Sequence, residues 1–412
     1  MQKLAGKTTI DGQTRSFHSF VAVEQDVHKL SSEKSSSLSS VSTLSTQSVS
    51  SKLLETSPLS LPCIETWSLC SIQSKAPVTS LAVCGKHLYA AHSNVVVVYD
   101  LNTFTIAHTL SEPTSSSGSV KAFAFCGIKE QSLIVLTGHQ DAKIRGWKLV
   151  DSPSMSHRLC MTLPKLTDRV CRFMHPGNYV AVRRHVKKLW IQHTDAITGL
   201  AVSRSDTTLV YSASWDKTLK VWNASAGFRC VESITAHEDS VNAVVVSDDG
   251  TVYTASADCK IRVWSRKGKR HVLERTLEKH TSAVNALALN SDGSRLFSGG
   301  CDKSIRVWAR EGSAFHMIAI ESLMGHKMAI LCLVNASQFL LSASADRTVR
   351  IWDCVGKQHY SCLAVLDGHL GPVKSLAVSW DADVDVLWVY SGTLDGEIIA
   401  RRVTFDYTQA TD

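Results

Sequence analysis

From about residue 64 to residue 405 the chain is written in short apolar bursts separated by small polar turns. Residues 240–247 (SVNAVVVS) read as one strand, Asp248-Asp249-Gly250 as a turn, residues 251–257 (TVYTASA) as a second strand and residues 260–264 (KIRVW) as a third. Val, Ile, Leu and Ala fall on both faces of these strands. That pattern predicts sheets covered by neighbours on both sides, not one sheet with a wet face.

The bursts repeat. DKTLKVW (216–222), DCKIRVW (258–264), DKSIRVW (302–308) and DRTVRIW (346–352) share one pattern, and DAKIRGW (141–147) is a fifth copy. Trp222, Trp264, Trp308 and Trp352 lie 42, 44 and 44 residues apart, the period of a four-stranded propeller blade. Asp395 marks another unit, in which Arg401 takes the tryptophan position. Residues 88–100 (LYAAHSNVVVVYD) form a degenerate unit with Tyr99 near the aromatic place. Counting units gives seven, so the expected fold class is all-β: a seven-bladed propeller over residues 63–405, with 406–412 as a tail.

Four units carry two further polar residues at set offsets: a His 20 to 23 residues before the Asp, and a Ser or Thr four before it. The sets are His193, Ser212, Asp216, Trp222; His237, Thr254, Asp258, Trp264; His280, Ser298, Asp302, Trp308; and His326, Ser342, Asp346, Trp352. They resemble the WD40 repeat family, where the resemblance implies one hydrogen-bonded network per blade: Asp accepts from His, and the hydroxyl links His to the indole N–H. A Ser/His/Asp trio also suggests a hydrolase, but a catalytic site occurs once and this set occurs four times. The second unit keeps Thr137, Asp141 and Trp147 without the His. The last keeps His369, Ser391 and Asp395 without the Trp.

The last unit has room for three strands before the chain ends. Propellers of the resembled family close by lending the N-terminal strand to the final blade, and residues 65–72 (ETWSLCSI) alternate polar and apolar. A closing strand over 63–72 is therefore expected, which would remove an open sheet edge.

Asp141 and Asp216 are 75 residues apart, about thirty more than one blade needs. The surplus is an insertion over 151–192 between blades 2 and 3. It carries LPKLTDRVCRFMHPGNYVAVRRHVKKLWIQHTDAI from residue 163, with a short helix over 166–174 stopped by Pro176-Gly177. With KTLKVW and HEDSVNAV, this run resembles the plant JINGUBANG-type WD-repeat proteins over roughly residues 64–405. That resemblance implies a plant regulatory protein without catalytic activity, acting in restraint of pollen germination and growth. The insertion is expected on the rim that bears the His loops. Arg183, Arg184, Lys187 and Lys188 beside Trp190 are its candidate contacts for acidic peptide or phosphate, or a run read by nuclear import; a solvated hairpin tip explains the same charges. Along the rim, the residue before each turn Asp is small or polar except Trp215, a hot-spot candidate whose packing against the insertion is the alternative. Lys121, Asn242, Asn285 and Lys374 occupy equivalent places near the starts of inner strands and join the candidate partner surface.

Composition narrows the function classes. The chain has 412 residues, 44% hydrophobic and 20% charged, so a large core is available. Its net charge of +7 lies almost wholly beyond the first sixty residues, which hold six Lys/Arg against five acids. That excess favours acidic partners and is too small to argue for nucleic acid alone. Residues 31–50 contain eleven serines, so residues 1–62 are expected to be a disordered tail, with Ser57-Pro58 a candidate phosphorylation site and a solubilising tail without regulation the alternative. Gly6-Lys7-Thr8 lacks the upstream glycine and strand of a phosphate loop. Twelve scattered cysteines, such as Cys84, Cys126, Cys230 and Cys332, read as packed thiols of a reducing compartment. No signal or membrane-span stretch is apparent, which places the chain in cytoplasm, nucleus or both.

The expectation is a monomeric, non-catalytic scaffold with no cofactor and no metal, binding other proteins such as transcription or signalling regulators, with no membrane or nucleic-acid partner. A cullin-RING substrate receptor is the alternative. It is weakened because Trp352-Asp353 is followed by Cys354-Val355, and Trp264 and Trp308 lack the Asp. A basic nucleic-acid-associated propeller ranks lower, having no aromatic platform beyond Trp190 and Trp215.

Overall fold

The computed structural model of the chain describes residues 41–42, 63–111, 118–127, 133–150, 156–183, 186–203, 205–206, 208–312, 315–355, 359–381 and 384–406. The expected tail over 1–62, apart from residues 41–42, and that over 406–412, apart from residue 406, therefore fall outside the described residues.

Seven antiparallel sheets of four main strands follow one another along the chain, and each inner strand packs against the inner strands on either side. The inner strands are Val78–Cys84, Val120–Cys126, Ile197–Val202, Val241–Val246, Val284–Leu289, Ile330–Ala336 and Val373–Asp381. The last packs on the first, so the ring closes. Burial follows strand position. The second strand of blade 3, Leu209–Ser214, is buried at every residue, while its outer strand, Arg229–Thr235, is mostly exposed or half-buried. Apolar runs are thus confined to strands that have a sheet on both faces.

The seventh blade joins strands from the two ends of the propeller. Cys63–Gln73 runs antiparallel to Glu397–Asp406 as its outer strand, with Val41–Ser42 as a two-residue edge beyond it. Gly396 makes this join possible. Its φ is +91°, and a Cβ there would lie 2.1 Å from the carbonyl oxygen of Ser74, whose N–H donates to Gly396 O at 2.9 Å.

Every inner strand carries a β-bulge at its second residue, the shift falling between Val78 and Ser80 in blade 1 and at the matching place in the other six. A bulge re-aims the extra side chain, and here it turns toward the next blade. Thr79 donates to Val120 O (2.5 Å), Thr198 to Val241 O (2.6 Å), Asn242 to Val284 O (3.0 Å) and Asn285 to Ile330 O (2.9 Å). Neighbouring blades are hydrogen-bonded around the inner ring at these points.

The outer strands are pinned in alternate seams. Between blades 3 and 4, Tyr211 Oη and His271 Nε2 are 3.1 Å apart, and His271 Nδ1 is 2.7 Å from Glu232 Oε2. Between blades 5 and 6 the same positions are Phe297, Tyr360 and Glu321, with Tyr360 N–H donating to Glu321 at 2.9 Å. Between blades 1 and 2 they are Tyr89, His157 and His108. Tyr89 Oη lies 3.2 Å from His157 Nε2, and His157 Nδ1 contacts His108 Nε2. At 2/3 apolar side chains take over, Leu136, Met161 and Phe228, and at 4/5 Tyr253 packs with Met317 while Arg310 pairs across the seam with Asp249 at 3.0 Å.

The first of these seams has a histidine where the other two have a glutamate, and that makes it acid-sensitive. Burial, then the neighbouring His108 and His87, push His157 down to about 4, and burial lowers His108 as well. An unfolded chain takes up these protons near pH 6.5, so the seam's contribution is complete above that value and is lost as pH falls towards 4. His108→Glu should restore an acceptor for a charged His157. Between pH 6.5 and 4 the melting temperature of the wild type should fall further than that of the variant; parallel curves would refute the assignment.

Candidate functional site

In blades 2 to 6 the turn after the second strand needs a left-handed residue: Ala142, Lys217, Cys259, Lys303 and Arg347 have φ between 65° and 71°. The Asp just before it holds this turn. Asp216 Oδ1 accepts the Thr218 N–H at 3.0 Å, and the same bond recurs at Asp258, Asp302 and Asp346. The second carboxylate oxygen faces the incoming loop, where His193 Nδ1 lies 2.9 Å and the Thr194 N–H 2.8 Å from Asp216 Oδ2. His193 Nε2 reaches Ser212 Oγ at 2.8 Å, and Trp222 Nε1–H donates to that hydroxyl at 2.9 Å.

The other three sets share this geometry. His237 meets Asp258 at 2.9 Å and Thr254 at 2.8 Å; His280 meets Asp302 and Ser298, each at 2.8 Å; His326 meets Asp346 at 2.9 Å and Ser342 at 2.7 Å. Trp264, Trp308 and Trp352 each donate to their hydroxyl at 2.9 Å. Burial alone would raise the Asp216 carboxyl, but His193, Thr218 and the Thr194 N–H outweigh it and hold it well below the usual range. Burial lowers His193 despite its Asp216 partner. Every polar member is engaged inside its own blade: the hydroxyl accepts from the indole and donates to the imidazole, whose Nδ1–H donates to the Asp. This is an arrangement for holding a turn, not for attacking a substrate.

Two sets differ from the sequence expectation. Blade 2 does have a histidine, His139, two residues after Thr137 instead of twenty before the Asp. Its Nε2 lies 2.8 Å from Thr137 Oγ1, to which Trp147 donates at 2.9 Å. Asp141, left without that imidazole, takes a two-pronged bond from Arg145 at 3.0 and 2.7 Å. In blade 7 the acid that meets His369 is Glu397 (3.1 Å), not Asp395, which is exposed. Ser391 still meets His369 at 2.7 Å, and Arg401 fills the tryptophan place, donating to Asp367 O. Blade 1 has Ala90 in place of the hydroxyl, so Tyr99 and His92 face each other directly at 3.4 Å.

The residue before each turn Asp donates its N–H to the loop entering the blade, Trp215 to Ala196 O at 3.0 Å and Gln140 to Ser119 O at 2.9 Å among them. These turns therefore share one rim with the His loops. Trp215 is half-buried there, with Lys121 Nζ 5.9 Å from its ring centre. Two of the sequence candidates thus meet across blades 2 and 3. Asn242 and Asn285 are occupied elsewhere, since their amides donate between blades, and Asn285 is buried. Lys374 sits at the matching bulge of blade 7.

The insertion does not lie on the rim, as its place in the chain suggests, but against the side of blade 3. Leu163, Leu189 and Ile191 share a buried cluster with Trp222, Phe228 and Cys230, and Trp190 packs on it. Buried Lys220 donates to Trp190 O (2.5 Å) and Ser233 (2.6 Å). Helix α1, Leu166–Phe173, turns its one acid inward: Asp168 is 6% exposed, 3.6 Å from Arg229 and 3.7 Å from Arg172. Arg172 also stacks 5.6 Å from the Trp190 ring centre. The hairpin is Tyr179–Arg183 with Val186–Leu189; Lys187 is exposed and Lys188 half-buried. Arg184 and the Arg183 side chain lie outside the described residues. Cysteine placement is mixed. Cys126 and Cys230 are buried, Cys84 and Cys332 half-buried, and Cys160 and Cys171 exposed, all as free thiols. Among the described residues no helix is long and apolar enough to cross a membrane.

Seven four-stranded blades in a closed ring, with an Asp-centred network fastening the turn in blades 3 to 6, define a β-propeller. Residues 184–223, 228–265, 271–309, 318–353 and 360–399 match the family model of the WD domain, G-beta repeat, so this seven-bladed propeller carries five WD40 repeats. Blades 1 and 2, which replace the usual hydroxyl or histidine, fall outside those matches. A search of curated proteins found no match.

Proposed function

We propose that the chain is a non-catalytic protein-interaction scaffold whose rim at blades 2 and 3, marked by Lys121 and Trp215, contacts its partner. One observation carries this reading: the His, Asp and hydroxyl groups are engaged in fastening blades, while the large aromatic at a rim turn stays half-exposed beside a lysine. WD40 propellers generally bind other proteins, which fits. The likeness of residues 163–197 to plant JINGUBANG-type proteins supports a regulatory role in a plant cell, with pollen germination as the process to examine first.

The test is affinity capture from native tissue with wild type and a Trp215→Ala/Lys121→Glu variant of equal melting temperature. Specific partners should be lost from the variant. An unchanged partner list from the folded variant overturns the rim as the site.

A further inference from the structure

We propose that helix α1 is a docking ridge for an acidic amphipathic helix of a partner protein. The inference rests on the scaffold reading but not on the Lys121–Trp215 rim.

A helix lying on a protein's flank ordinarily buries its apolar stripe and exposes its charges. Here the polarity is reversed. Asp168 faces the propeller, while Leu166 (71% exposed), Val170 (62%) and Phe173 (65%) stand at i, i+4 and i+7 on the outer side, with Met174 beyond them at 78%. Propensity does not explain this choice. The ion pairs of Asp168 with Arg172 and Arg229 fix which side faces in, and so force the apolar side out. The ridge is also held rigid from below. Asn178 donates to Arg172 O at 3.0 Å, Tyr179 Oη–H donates to Phe173 O at 3.1 Å, and the Tyr179 ring meets Phe173 edge-on. A surface ordered in advance loses little entropy on binding.

Charge selects the occupant. Residues 163–191 hold seven cations (Lys165, Arg169, Arg172, Arg183, Arg184, Lys187, Lys188) against one acid, Asp168, a surplus of six in a chain whose net charge is +7. The single acid is buried and paired, whereas among the described residues Arg169 and Lys187 are exposed and Lys165 and Lys188 half-buried, so the described surface around the ridge is cationic. Three apolar side chains stacked at helical spacing fit the groove or apolar stripe of a second helix, and acidic flanks on that helix match the cations. A fluid bilayer has no use for fixed spacing, which favours a protein over a lipid surface.

The test is selection from a display library of helical peptides on the intact chain, followed by affinity measurement. Enriched peptides should carry apolar residues at i, i+3 or i+4, and i+7, flanked by Asp and Glu. They should bind more weakly as salt is added, and lose about tenfold or more in affinity on Val170→Glu/Phe173→Glu. Trp215→Ala should leave their affinity unchanged, which separates this ridge from the rim. Melting temperatures equal to wild type show that the variants fold. Peptides without acidic flanks, or peptides that bind the double variant as well as wild type, overturn the proposal. So does capture by phosphatidylserine vesicles that the double variant abolishes when no acidic peptide is enriched.

Discussion

A chain that begins after residue 73 is expected to lose its cooperative unfolding transition and to associate, whereas one that begins at residue 56 should melt like the full chain. The first deletion strips the outer strand from blade 7 and leaves Glu397–Asp406 as an open edge ten residues long. It also removes buried Cys70 and Ile72 from the cluster that joins blade 7 to blade 1. An unpaired edge of that length is a template for intermolecular pairing. The second deletion removes, among the described residues, only the two-residue strand Val41–Ser42. Thermal melts with light scattering decide the matter; equal melts for both truncations would show that the ring holds without its closing strand.

Asp216→Ala is expected to cost about 3–5 kcal/mol, because His193, the Thr194 N–H and the Thr218 N–H and hydroxyl lose one shared acceptor. Asp395→Ala, in the matching turn of blade 7, should stay within about 0.5 kcal/mol, since that carboxylate is exposed and His369 pairs with Glu397. Urea midpoints of the two variants give the comparison, and similar losses would contradict the assignment. The Asp216 carboxyl is held below its ordinary value near pH 3.9. Its contribution is therefore present above that pH and disappears only as the solution is acidified below it.

The ring and its blade number are legible in the chain because each blade repeats one chemical solution at one spacing. Legibility fails where a blade solves the same problem from another place. His139 reaches Thr137 from two residues along the same strand, and Glu397 substitutes for Asp395 from two residues further along the chain, so a search at fixed offsets passes over both. The bulge residues Asn242 and Asn285 look like rim candidates by position. Only the backbone register shows that their side chains turn to the next blade. The insertion's helix is written in its own residues, from Leu166 to the stop at Pro176-Gly177. Its inverted packing is not, because the burial of Asp168 depends on Arg229 in a strand of the following blade.

The alternating seams add a point of parity. Pins at 1/2, 3/4 and 5/6 tile six blades in twos, and an odd ring leaves one over. The remainder is blade 7, where both ends of the propeller chain meet. Whatever tethers the N-terminal segment therefore pulls first on the blade that has no twin.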